Sequence, residues 1–170
     1  METKPKTLEF TVLSAEGLHV RGKATPNIKV FVVVRAESIT SHTTAMATTN
    51  GNDNGFQYSW NEKFWVELGP HARCVTIEVK CRTETGVVRD VGVARIAVSD
   101  FLGRSSVSDH CLQSLCYRLR DWDGRENGVV YFSVRVAPPP EGAENDCSSS
   151  TSGTGVVTGI PVYWNNSIDN

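Results

Sequence analysis

Residues 60–68, Trp60-Asn61-Glu62-Lys63-Phe64-Trp65-Val66-Glu67-Leu68, pass from a polar turn into strict alternation. Successive side chains on a strand take opposite faces, so Phe64, Val66 and Leu68 share one side and Lys63, Trp65 and Glu67 the other. The period is that of β structure. With Phe64 and Val66 inward, Trp65 faces outward, and outward aromatic residues are enriched at interface hot spots.

The same reading along the chain marks eight short strands. Residues 8–15 alternate Leu8, Phe10 and Val12 against Glu9 and Thr11. Residues 28–35 hold the run Val30-Phe31-Val32-Val33-Val34, expected to be covered on both faces. Residues 39–48 are rich in Thr, which suits a half-exposed strand. The loop Asn50-Gly51-Asn52-Asp53-Asn54-Gly55 follows, with residues that accept positive φ. Residues 62–68 form the fourth strand. Val75, Ile77 and Val79 mark the fifth, Ala94, Ile96 and Val98 the sixth, Leu115, Tyr117 and Leu119 the seventh, and Val130, Phe132, Val134 and Val136 the eighth. Residues 99–107 read as a short helix or a loop, with Asp100 a candidate cap. No helical period persists for three turns, so the chain is expected to be all-β: a sandwich or barrel.

At 170 residues the chain suits one domain with a tail. No apolar run approaches the roughly 20 residues that span a bilayer. Met1-Glu2-Thr3-Lys4-Pro5-Lys6 has no apolar core behind its charges, so it does not read as a signal peptide, and a cytoplasmic location is expected. The sequon Asn165-Asn166-Ser167 is then expected to stay unmodified. The five cysteines, Cys74, Cys81, Cys111, Cys116 and Cys147, match neither zinc spacing nor a CxxC motif, and reduced thiols are expected.

All 17 Lys and Arg lie in residues 1–137 against 15 acids, while residues 138–170 hold four acids and no base. A body this near neutrality does not suggest nucleic acid, which calls for a basic stripe. Pro138-Pro139-Pro140 ends strand formation. Beyond it, Ser, Thr, Gly and acids predict a disordered tail, in which Gly159-Ile160-Pro161-Val162-Tyr163-Trp164 is either a docking peptide, a strap or incidental. The expected division is a lead at 1–6, a folded domain at 7–137 and a tail at 138–170.

The order of features resembles a C2 domain. Leu8-Glu9-Phe10-Thr11-Val12 opening toward Gly17-Leu18 looks like the first strand and the turn into loop one. Thr25-Pro26-Asn27-Ile28-Lys29-Val30 stands where C2 domains carry an Asp-Pro-Tyr-Val entry. Trp60-Asn61-Glu62-Lys63-Phe64 is similar to the fourth-strand entry. Val91-Gly92-Val93-Ala94-Arg95-Ile96 is similar to the Ile-Gly-Glu segment. Within that family, Phe31-Val32-Val33-Val34-Arg35 and the Trp-Asn-Glu-Lys-Phe entry resemble the small plant copine-associated (BONZAI-associated) and SRC2-like proteins. The resemblance implies an eight-stranded antiparallel C2 sandwich. It further implies a non-enzymatic adaptor, peripheral at the plasma membrane, that binds anionic phospholipid and a copine-type partner and restrains plant defence and cell death.

C2 domains that bind calcium use about five aspartates from loops one and three, because calcium takes six to eight oxygens. Here the aspartate of the Asp-Pro pair is Thr25, the Asp-x-Asp positions are Cys81 and Thr83, and the last ligand position falls near Arg89. Glu84 and Asp90 remain. The calcium site therefore looks degenerate, and no cofactor is expected. His19, Arg21, Lys23, Arg82 and Arg89 would instead make the tip cationic without metal, a lipid-binding set, with Val20, Val87 and Val88 as shallow apolar anchors. Solvated loop charges are the plainer reading of the same residues. The lysine cluster of many C2 domains is reduced here to His42 and Lys63, so a second lipid site looks weak. Lys63 and Trp65 are the candidate partner contacts.

Two other readings stay open: a protein-interaction module without lipid binding, and a calcium-dependent phospholipid binder. An enzyme has no supporting constellation, because His19, His42, His71 and His110 are scattered and pair with no nucleophile. Asp121-Trp122-Asp123-Gly124 is expected to be a tight turn before the last strand, and Trp60 and Trp122 to pack in the core or on a strand face.

Overall fold

The structure is a computed structural model, and it describes residues 4–20, 28–37, 40–47, 49–52, 55–103 and 108–138. The expected tail from residue 139 on, with its aromatic cluster, lies outside these, as do Arg21, Lys23 and Cys147. Nine strands are present among the described residues: β1 Lys6–Glu16, β2 Lys29–Arg35, β3 Ser41–Thr43, β4 Asn50–Asn52, β5 Gly55–Leu68, β6 Cys74–Arg82, β7 Val88–Ala97, β8 Gln113–Arg120 and β9 Glu126–Val136. All their pairings are antiparallel.

Hydrogen bonding runs in the order β3-β2-β6-β7-β8-β9-β1-β5-β4. The link between β7 and β8 is a single residue pair, Val93 with Arg120, so the order folds there into two layers. One layer is β3-β2-β6-β7 and the other β8-β9-β1-β5-β4. Between them lie the inward sets that alternation selects: Leu8, Phe10 and Val12 of β1, Val30, Val32 and Val34 of β2, Ile77 and Val79 of β6, and Phe132 and Val134 of β9. Phe10 stacks on Phe132 at 4.9 Å between ring centroids. Burial of this kind, about 25 cal/mol per Å² of apolar surface, drives the two layers together.

The eight expected strands are present, with differences at three places. Asn50–Asn52, expected to open a loop, is instead β4, a hairpin arm paired with the start of a much longer β5, while Asp53 and Asn54 lie outside the described residues. The Thr-rich segment is a strand only over Ser41–Thr43. Thr44 is buried, and its hydroxyl accepts the Val32 N–H, while Ala45 N–H turns away to Glu62 Oε1, so the ladder bulges before Ala47 rejoins Val30. Residues 98–100 form one 3₁₀ turn, Val98–Asp100, whose first-position neighbour Ala97 gives no side-chain cap. Asp100 is inside that turn and accepts the Tyr117 hydroxyl.

The Trp60-Asn61-Glu62 entry joins the layers. Asn61 takes φ +53 at the irregularity where β1 and β5 shift register, Trp60 Nε1 donates to Val30 O at 3.3 Å, and Glu62 receives Ala45 N–H. The four described cysteines, Cys74, Cys81, Cys111 and Cys116, are free thiols.

Candidate functional site

Strand direction decides which loops share an end. β1, β6 and β8 run toward one end and β2, β7 and β9 away from it, so residues 17–20, 83–87 and 121–125 gather there, where β5 also begins. The expected lipid-binding residues that are described, His19, Arg82 and Arg89, all belong to this end.

The β6–β7 hairpin sorts its side chains by register. Lys80 pairs with Asp90, Cys81 with Arg89 and Arg82 with Val88, and antiparallel partners share a face. Cys81 is buried, so Arg89 lies on the inner face at the mouth between the loops, while Arg82 and Val88 lie on the outer face. Lys80 is matched by Asp90 at 2.6 Å and Glu78 at 3.3 Å. Arg82 and Arg89 make no ion pair among the described residues. Burial pushes the Cys81 thiol up, and the nearby Arg89 only partly offsets it.

Residues 83–87 close the hairpin around Thr83, whose Oγ1 accepts Val87 N–H and lies 2.9 Å from Thr85 Oγ1. That hydroxyl, at a position where the C2 resemblance places a calcium ligand, serves the loop itself. Val87 and Val88 are 49% and 46% exposed, whereas Val20 packs against the core and is withdrawn from the surface set.

The described start of loop one is held at His19 by a residue that sequence reasoning passed over. Asn127 is buried; its Oδ1 accepts His19 N–H, and its Nδ2 donates to His19 O and Val91 O. The segment after β1 is thus tied to β7 and β9 at the tip by one amide. Gly128 beside it has φ +83, and a Cβ there would run into the Glu16 carbonyl oxygen. An Asn-Gly pair opening a strand was the available signal.

Calcium does not fit this tip. Asp90 is held by Lys80, Glu84 is exposed on the turn, and Glu16 accepts the Tyr131 hydroxyl. Among the described residues no three His, Cys, Asp or Glu side chains converge as a metal-holding group. Arg21 to Asn27, outside the described residues, contain no carboxylate in sequence.

Trp122 corrects its expected place. It is 85% exposed on the turn between β8 and β9 and packs in no core. The turn itself is as expected: Asp121 N–H donates to Arg125 O, and Gly124 N–H to Asp121 O.

The second candidate set lies far down β5. Trp65 is 53% exposed, and Lys63, Trp65 and Glu67 face outward as alternation requires. Lys63 Nζ is 2.7 Å from Glu9 Oε1, and Arg135 Nη2 is 2.8 Å from Glu9 Oε2. Glu9 is 4% exposed beneath them. Lys63, half exposed, is paired with Glu9, and Trp65 stands exposed beside it on the same face.

Two antiparallel layers with this connectivity, and loops gathered at one end, define a C2 sandwich. Solved structures agree: a C2 domain of a plant Extended Synaptotagmin 1 superposes with TM-score 0.61 at 18% identity, covering 81% of this chain and 99% of that one. Human GIVD cytosolic phospholipase A2 gives TM-score 0.57 at 14% identity over 80% of this chain, but only 17% of the enzyme. Such distant likenesses show the fold alone. BON1-associated protein 2 of Arabidopsis thaliana is 33% identical over 165 residues, 95% of this chain and 76% of that protein. The chain belongs to the BON1-associated family of C2 proteins. No family model matches it.

Proposed function

We propose that this chain is a non-enzymatic adaptor that binds anionic phospholipid with the loop end of its sandwich, without requiring calcium. The observation that carries the reading is the uncompensated pair Arg82 and Arg89, at a tip where Asp90 and Glu16 are already engaged. Arg21 and Lys23 belong to the same loop end by sequence. Each cation near an anionic leaflet contributes about 1 kcal/mol, so the four supply about 4 kcal/mol, a millimolar-class attraction that salt screens. Co-sedimentation with phosphatidylserine vesicles is expected to be the same in calcium and in chelator. Replacing Arg21, Lys23, Arg82 and Arg89 by Ala abolishes it. Sedimentation only with calcium would overturn the reading.

The same adaptor binds a copine-type C2 partner through the Trp65 face. The relative's name describes association with BON1, and an outward Trp beside ion pairs to the buried Glu9 offers an anchor. The process served is restraint of plant defence and cell death at the plasma membrane. Among the described residues no helix is long and apolar enough to cross a membrane, which suits a peripheral contact. Pull-down by a copine, retained by the wild type and lost in Trp65→Ala, tests the partner arm.

A further inference from the structure

We propose that the β8–β9 turn is a membrane-inserting element, with Trp122 as its anchor. The inference rests on the membrane reading above and names a loop that reading does not use. Trp122 is more exposed than any other large apolar side chain among the described residues. Its turn is closed from within. Asp121 Oδ1 accepts the N–H groups of Asp123 and Arg125, and Arg120 Nη1 donates to Gly124 O at 2.7 Å. The backbone polar groups near the indole are satisfied inside the loop, so pressing it toward lipid leaves few of them stranded.

The position supports lipid over protein. Trp122 borders a cleft of about 400 Å³ with Asp90, Val91 and Val93 of β7, close to the hairpin that carries Val87 and Val88. Val91 is buried, but Trp122, Val87 and Val88 are exposed on two separate segments at one end, with charged groups between them. A soft planar interface accepts such scattered points, whereas a protein partner would need a shaped recess for each. Indole also prefers the headgroup boundary, where its ring is buried and its N–H stays wet.

Charge does not drive this loop. Arg120 and Arg125 are offset by Asp121 and Asp123, so the turn is neutral. Its contribution is therefore apolar and survives salt, unlike that of Arg82 and Arg89. The experiment is sedimentation of the full chain with vesicles of phosphatidylcholine and phosphatidylserine, in chelator, at low salt and at about 1 M, where the screening length is about 3 Å. Trp122→Ala is expected to bind about tenfold more weakly at both salts. Brominated lipid quenches wild-type indole emission, and Trp122→Phe removes that quenching while restoring part of the binding. If wild type and Trp122→Ala sediment equally, or quenching persists in Trp122→Phe, the insertion is overturned while the membrane reading stands. If the wild type does not sediment at all, both are overturned. Circular dichroism of each variant confirms folding.

Discussion

Glu9 shows what one buried carboxylate does for this sheet. It is almost wholly covered, and its two oxygens are divided between Lys63 and Arg135. The Lys63 hydrogen bond, then that of Arg135, hold its carboxyl below the ordinary 4.5, outweighing the burial that pushes it up. A depressed folded value means stability that is complete above the ordinary range and lost as pH falls through the folded value. Glu9→Gln is thus expected to lower unfolding free energy by about 1–3 kcal/mol at neutral pH. The gap from wild type narrows in urea titrations as pH drops below 4.5. Glu9 was legible only as an outward strand position, because its burial depends on long side chains from strands that are distant in sequence. Asn127 was passed over despite the Asn-Gly signal, because its partners are backbone groups of His19 and Val91, far off in sequence. Asn127→Ala strips partners from His19 and Val91 together, and is expected to cost about 2–3 kcal/mol in urea unfolding. Trp122 was misplaced because aromatic residues usually pack. Its flanking Asp121, Asp123 and Gly124 were the better guide, since a tight turn has no room to fold an indole inward.

Strands were legible wherever alternation was strict, and for a physical reason. β1, β5, β6 and β9 each have one face against the opposite layer, so the period of two is imposed by burial. What the pattern missed are interruptions made by single side chains. Thr44 stops β3 with its hydroxyl, and Asn61 in the left-handed region lets β5 continue past its shifted register. Neither disturbs the apolar count. Gly128 belongs to the same class: β1 and β9 come so close at Gly17 that only hydrogen fits. Gly128→Ala combines that clash with a strained φ and is expected to cost about 2 kcal/mol or more, read as a lowered thermal midpoint. The loss centres on the β1–β9 end that holds loop one, so hydrogen exchange at Leu18 and His19 rises before that of the core strands.

At the scale of the molecule, the two candidate surfaces are separated by the length of β5. Trp65 lies ten residues along the strand from its loop-end start at Gly55, about 33 Å at 3.3 Å per residue. That span is several screening lengths at physiological salt, so charge at the tip does not reach the Trp65 face. The two layers between them are packed by buried aliphatic and aromatic side chains, which gives no second arrangement for one site to impose on the other. On the proposed function, bilayer and partner are therefore expected to bind independently and at once. Trp65→Ala is expected to lose copine pull-down while sedimenting with vesicles as the wild type does. The Arg82→Ala, Arg89→Ala double variant does the reverse. With both sets combined, each loss equals that of its own variant, because mutations this far apart without shared partners add. A copine recruited to vesicles only through this chain, in a three-component sedimentation, is the direct measurement. Competition between copine and vesicles for the wild type would mean that one surface serves both.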